Sequence, residues 1–200
     1  KKWFRERVAP LLNTANVRAA NAPFIEDRKL YFVCRIRPSG KGTGKDRSVL
    51  VNIPSDDVGR FVLLPSRRGR TDLLFLDDLM RLCLPDMFTG HRIVHCHSIK
   101  LSRDAELHLD EEFIGNVKEK VSKSLRKRRT GVPSRFLYDA EMPKSTVREL
   151  KALLGLGKPD MVPGGRYHNF SDLIKLPVEG HSTLRDTPWP ALPLVQARSK

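Results

Sequence analysis

The sequence predicts an α+β fold: a single domain built on a mixed, partly antiparallel sheet with helices packed against it. Three observations lead there. Segments of period-two alternation, separated by glycine- and proline-marked turns, form a meander early in the chain. Segments of helical spacing then interrupt the strands at irregular intervals, unlike the regular strand-helix repetition of a doubly wound sheet. Two hundred residues at 40% hydrophobic composition suffice for one sizeable core, which at this size buries about 70% of the unfolded chain's surface.

Trp3 to Val8 read as the end of a helix stopped at Pro10, and Asn13 to Asp27 show no period, so the first folded element is expected near Lys29. Leu30, Phe32, Cys34 and Ile36 alternate with Tyr31, Val33, Arg35 and Arg37, and Val49, Val51 and Ile53 repeat the pattern. These are two strands of a hairpin with a basic, glycine-rich tip, Pro38 to Asp46. Further strands are expected at Arg60 to Leu64 and Leu73 to Phe75. A helix follows, with Asp77 and Asp78 in its first turn, where negative charge suits the dipole, and with its end before Pro85. His91 to Leu101 return to strand-like alternation.

The strongest helical pattern runs from Asp110 to Arg129. Phe113, Val117, Val121 and Leu125 form one stripe, acids open the segment, Arg126, Lys127, Arg128 and Arg129 close it, and Gly131 supplies a left-handed stop. Val132 to Tyr138 read as a strand and Pro143 to Leu154 as a helix. The nine residues VPGGRYHNF, Val162 to Phe170, form the most distinctive run of the chain. Gly164 and Gly165 mark a turn where backbone can approach a neighbour closely, and Arg166, Tyr167, His168 and Asn169 follow as polar or stacking groups. The run reads either as a ligand loop or as a turn entering a short helix, capped by Asn169 or Ser171 and anchored by Phe170. The chain therefore divides into a helix end and linker over 1–28, the folded domain over 29–177, and a proline-rich exit segment over 178–200.

The excess of 37 Lys and Arg over 23 Asp and Glu gives a net charge of +14, which favours polyanionic partners. Cys34, Cys83 and Cys96 are scattered among apolar residues without a CxxC pair, as expected for reduced thiols in a cytoplasmic protein. No stretch approaches the roughly 18 consecutive apolar residues of a membrane span. The opening KKWFRERV carries no export core, and its mid-helix character without an initiator Met suggests a piece of a longer protein.

Candidate chemistry is sparse. GKGTGKD, Gly40 to Asp46, departs from a phosphate loop at Ser39, where glycine is needed, and at Asp46, where the magnesium-binding hydroxyl belongs; a strand follows instead of a helix. His95 and His97 share one strand face with Cys96 on the other, so these residues with His91 do not converge on a metal; the histidines are expected on the solvent side, with Cys96 in the core. Asp104 and Glu106 share a strand face but read as surface charge. Arg126 to Arg129, with Arg67, Arg68 and Arg70, form either a polyanion groove or a dipole complement on a solvated helix end. Without the exposed aromatic repeats of RNA-recognition modules, nucleic acid is not an expected partner.

VPGGRYHNFSDL, IPSDDVGRFVLLP at Ile53 to Pro65, KLSRDAELHLDEE at Lys100 to Glu112 and RFLYDAEMP at Arg135 to Pro143 occur in the order found in the middle, or head, domain of bacterial polyphosphate kinases, and the chain resembles that domain over essentially its whole length. The resemblance implies a four-domain enzyme that transfers the terminal phosphate of ATP reversibly to inorganic polyphosphate, with magnesium, through a phosphohistidine. It places the phosphorylated histidine, its partner histidine and the metal-binding arginines in C-terminal domains and the adenine contact in an N-terminal one. No catalytic or metal-binding residue therefore carries over to this chain, and no cofactor is bound by it. What is implied here is dimerisation and the positioning of the other domains of the same polypeptide. Arg126, Lys127, Arg128, Arg129 and Arg166 are the candidates to face polyphosphate. Gly164, Gly165, Tyr167, His168, Asn169 and Phe170 stand as a structural signature that fastens the exit, and Gly165→Val is expected to lose folding or docking. The implied location is cytoplasmic, including a peripheral position at the inner membrane. The hairpin tip, Gly40 to Asp46, is longer than the family pattern. The other reading is a stand-alone basic polyanion-binding module.

Overall fold

The structure, a computed structural model, describes residues 1–18, 22–40, 44–66, 70–103, 131–187 and 189–191. They divide into two compact units, Lys1–Phe170 and Ser171–Lys200. The larger unit is organised by a six-stranded sheet of order β1-β3-β2-β6-β7-β8. Its strands are β1 (Thr14–Asn16), β2 (Leu30–Pro38), β3 (Arg47–Asn52), β6 (His91–Arg103), β7 (Pro133–Asp139) and β8 (Met161–Gly164). All neighbours run antiparallel except β7 and β8, so the sheet is mixed and the α+β expectation holds. A separate two-stranded sheet pairs β4 (Phe61–Leu64) with β5 (Asp72–Phe75). The helices are α1 (Lys2–Arg7), the single turn α2 (Ser55–Val58), α3 (Leu76–Met87) and α4 (Lys144–Leu153).

The alternation read in β2 produces two cores, one on each face of the sheet. Leu30, Phe32, Cys34 and Ile36, with Val49 and Val51 of β3, meet Phe4 of α1, Val62 of β4 and Leu76, Met80, Cys83 and Leu84 of α3. Tyr31 and Val33, with Leu50, Ile99, Leu101 and Phe136, meet Ile25 and, from α4, Leu150. Each fully buried aromatic or aliphatic side chain contributes about 1.5–3 kcal/mol relative to exposure, so both faces favour folding. The sheet is thus covered on both sides, with α1, α3 and β4 on one and α4 on the other.

Four expectations need correction. Folded structure begins well before Lys29: Phe4 and Val8 lie in the core and Thr14–Asn16 pair with Val49–Val51. A three-residue edge strand carries too few positions to show a period. Helix α3 runs through Pro85 to Met87, because a proline so near the end interrupts only the last turn, and Met87 still packs on the core. The start of VPGGRYHNF is strand β8, which adds parallel to β7 at the sheet edge, where Pro163 costs no central ladder bond. Phe170 is not an anchor, since it is 79% exposed. The helix expected over 110–129 lies outside the described residues. In the smaller unit, 3-10 turns include Ser182–Leu184, and Arg185 donates to the Leu176 carbonyl at 3.4 Å.

Candidate functional site

The chain leaves β8 at Gly164, where the sheet demands close approach: a Cβ there would stand 2.8 Å from Leu137 Cδ1. At Gly165 a Cβ would meet nothing within 4 Å, so the steric need for glycine belongs to the first of the pair. Beyond them, Arg166 to Asn169 lie on the sheet face that carries α3. Ser98 of β6 donates to the Arg166 carbonyl at 2.7 Å, and Lys100 of the same strand bonds the Asn169 side-chain oxygen. Asn169 has φ 72°, a left-handed conformation that asparagine tolerates better than most residues.

Asp78, in the first turn of α3, is the hub of this contact. It accepts from the Tyr167 hydroxyl at 2.6 Å, from Arg166 at 3.0 Å and from Arg81 at 3.1 Å. Burial is the largest single influence on its carboxyl and pushes it up, but the bonds from Tyr167 and Arg166 and the charge of Arg81 together hold it below its ordinary value. The same carboxylate raises the Arg166 guanidinium and, ahead of burial, the Tyr167 phenol. The Tyr167 ring stacks on Phe75 at 4.5 Å between centroids, and Arg81 lies over Phe32 at 4.7 Å.

Beneath the loop sits a second pair. Arg60 donates to Asp77 at 2.8 Å, both side chains being almost fully buried, and to the His168 carbonyl at 3.2 Å. Despite that cation, burial wins at Asp77 and pushes its carboxyl above the ordinary value. His168 is itself buried and donates from Nε2 to the Gly165 carbonyl at 3.0 Å. Burial lowers its ring to about 4, so near neutral pH it is an uncharged imidazole with its N–H committed to backbone. This loop is built to hold: its cation, phenol, imidazole and amide are all bonded within the domain.

The remaining candidates fall elsewhere. Arg126, Lys127, Arg128 and Arg129, with Arg67, Arg68, Asp104 and Glu106, lie outside the described residues, so the structure places only Arg166 and Arg70 of the basic candidates; Arg70 pairs with Asp72 at 2.6 Å. His95 and His97 do share a face, their rings 5.2 Å apart, with Cys96 opposite, but that face is not open to solvent. His97 Nδ1 bonds Asp139 at 2.9 Å with only 14% of its side chain exposed. His95 faces Thr146 of α4 at 3.4 Å between Nε2 and Oγ1. Burial lowers the His95 ring, helped by the charges of His97 and Arg35. The histidines are therefore half-buried because α4 covers the face that alternation alone left open. Beside them lies a cleft of about 480 Å³ lined by Arg35, Asp46, His95, Thr146 and Glu149, in which Arg35 is held by Ser48 and Glu149. Among the described residues no group of three or more His, Cys, Asp and Glu is arranged to hold a metal ion. At the hairpin tip Arg37 pairs with Asp46, and a strand follows, unlike a phosphate loop.

Comparison with known proteins identifies the family. A family model described as the polyphosphate kinase middle domain matches residues 1–176. The chain belongs to the polyphosphate kinase middle-domain family. It is 36% identical over 198 residues to a polyphosphate kinase of Escherichia coli strain K12, an alignment covering 96% of this chain and 28% of that relative. A Vibrio cholerae polyphosphate kinase is 33% identical over 200 residues, with the same shares covered. The crystal structure of polyphosphate kinase from Porphyromonas gingivalis superposes with a TM-score of 0.74 at 28% identity, over 96% of this chain and 27% of that one. The chain thus spans a little over a quarter of the length of these polyphosphate kinases.

Residues that sequence reasoning missed at this site are Asp78, Arg81, Ser98, Lys100 and the Arg60–Asp77 pair. Asp77 and Asp78 were legible only as dipole acids of α3, and no sequence signal joins them to a motif nearly 90 residues later. A weak hint existed in Arg60, a lone cation at the start of an apolar strand.

Proposed function

We propose that this chain is the middle, or head, domain of a polyphosphate kinase, which moves the terminal phosphate of ATP reversibly onto inorganic polyphosphate through a phosphohistidine carried on another domain. In this reading ATP and magnesium are bound by the other domains of the polypeptide. The present segment positions those domains and contributes to a dimer; the basic residues Arg126 to Arg129 face polyphosphate, while Arg166 is engaged by Asp78. The cytoplasm is its compartment. Among the described residues no helix is long and apolar enough to cross a membrane.

One observation carries the positioning role: the polar groups of the most distinctive motif are turned inward, onto Asp78, Ser98, Lys100 and Arg60, where they fix the path of the chain as it leaves the sheet. Family membership over residues 1–176 supports the parent activity. The decisive experiment pairs the 200-residue chain with the full-length polypeptide that carries it. With labelled ATP, the full-length protein is expected to autophosphorylate and extend polyphosphate, and the chain alone to do neither. Labelling of the chain alone would overturn the positioning role. A full-length protein without polyphosphate synthesis would overturn the parent activity. Light scattering of the full-length protein should give twice its monomer mass; a monomer that still synthesises polyphosphate would remove the dimer from the reading.

A further inference from the structure

We propose that Cys34 and Cys96 are a redox modification site, a dithiol that peroxide converts to a disulfide across the middle of the sheet and that thiols restore. The two residues are direct partners in the antiparallel register of β2 and β6. Opposed residues of an antiparallel pair have Cα atoms about 4.5 or 5.5 Å apart, and both spacings fall within the range a disulfide spans. Their side chains also turn to the same side, with the sulfurs 3.2 Å apart. Closing the bond needs the sulfurs to approach by only about 1.2 Å, which side-chain rotation supplies without moving strands already joined by backbone ladders.

The two thiols are unequal. Cys34 is fully buried, whereas Cys96 is partly exposed and packs at the margin of the same apolar cluster. The hydrogen bond with Cys96 and then burial push the Cys34 thiol well up, opposed by the nearby Arg81 charge, so Cys34 waits as a protonated resolving thiol. Peroxide reaches Cys96 first. Its sulfur takes one peroxide oxygen, forming a sulfenic acid and releasing one water as the O–O bond breaks. The Cys34 sulfur then attacks the Cys96 sulfur, the S–O bond breaks, and the departing hydroxide takes the Cys34 proton as a second water. Two thiols and one hydrogen peroxide give one disulfide and two waters. Cys83, also buried in this cluster, has no such partner in register and serves as the internal control.

The test uses the full-length polypeptide that carries this chain, treated with hydrogen peroxide, denatured in iodoacetamide and mapped by mass spectrometry. Alkylation of Cys34 and Cys96 is expected to fall together, about ten-fold, with a linked peptide short of two hydrogens, while Cys83 stays alkylated; dithiothreitol should reverse the change. Cys34→Ala, checked for native circular dichroism, should accumulate a dimedone-reactive sulfenic acid on Cys96, and Cys96→Ala should leave Cys34 unreactive. Oxidation of Cys96 to sulfinic acid with Cys34 still alkylated would overturn the proposal. So would linkage through Cys83, or full alkylation of all three thiols after peroxide.

Discussion

Asp78→Ala should release the Arg166–Asn169 loop from α3, and its cost can be worked from the contacts. The Tyr167 hydroxyl bonds a charged acceptor at 2.6 Å, an interaction worth about 1.5–3 kcal/mol net. The Arg166 pair involves a side chain that is 57% exposed, so solvent screening holds its share below about 1 kcal/mol. Arg81, at 12% exposure, loses its partner in a drier setting and adds a similar or slightly larger amount. Since the three share one carboxylate they are not additive, and a total of about 3 kcal/mol is expected. Urea unfolding of the chain, followed by circular dichroism, should show the midpoint falling by about 1–1.5 M with the slope unchanged. The dependence on pH gives a sharper check. Because the folded-state value of Asp78 is lowered, its contribution is fully present above the unfolded carboxyl value of about 4 and is lost as pH falls through the folded value. The difference between wild type and Asp78→Ala should therefore shrink in acid, a comparison in which the other carboxylates cancel. A midpoint shift equivalent to less than about 0.5 kcal/mol, or a difference that persists undiminished in acid, would refute the hub role.

Other outcomes follow from the same geometry. Gly164→Val should cost about 1–2 kcal/mol, because Leu137 must move aside, whereas Gly165→Val should stay within about 0.5 kcal/mol, reversing the expectation from sequence; paired melting curves decide between them. Asp77→Ala removes a buried carboxylate that neutralises the Arg60 cation and should lose about 3–5 kcal/mol in chemical denaturation, while the double replacement Asp77→Leu with Arg60→Met should recover most of it. If the single and double variants are equally destabilised, the pair is not what makes the site sensitive.

Much of the fold was legible. The period-two alternation of β2 and β3, the acids opening α3 and the proline that opens α4 are local signals, and these elements formed there, α3 with a later end than expected. Elements lacking a local pattern were missed. The edge strands β1 and β8 are only three and four residues long, and both exist because a longer neighbour offers them a ladder. The candidate site was half legible: the motif stood out by composition, but its partners did not, since Asp78, Ser98 and Lys100 lie on α3 and β6 and meet it only across the folded sheet.

By itself, the sequence determined the class of fold, the two-faced strand at the centre, and family membership through four ordered blocks, because side-chain periodicity and residue order are properties of the chain alone. Tertiary structure decided which glycine of the pair is sterically required, that Tyr167 and Arg166 serve Asp78, that His168 is a buried neutral ring, and that two cysteines 62 residues apart are cross-strand neighbours. Those outcomes depend on distance, burial and charge between segments remote in sequence. Such quantities acquire values only once the chain has closed on itself.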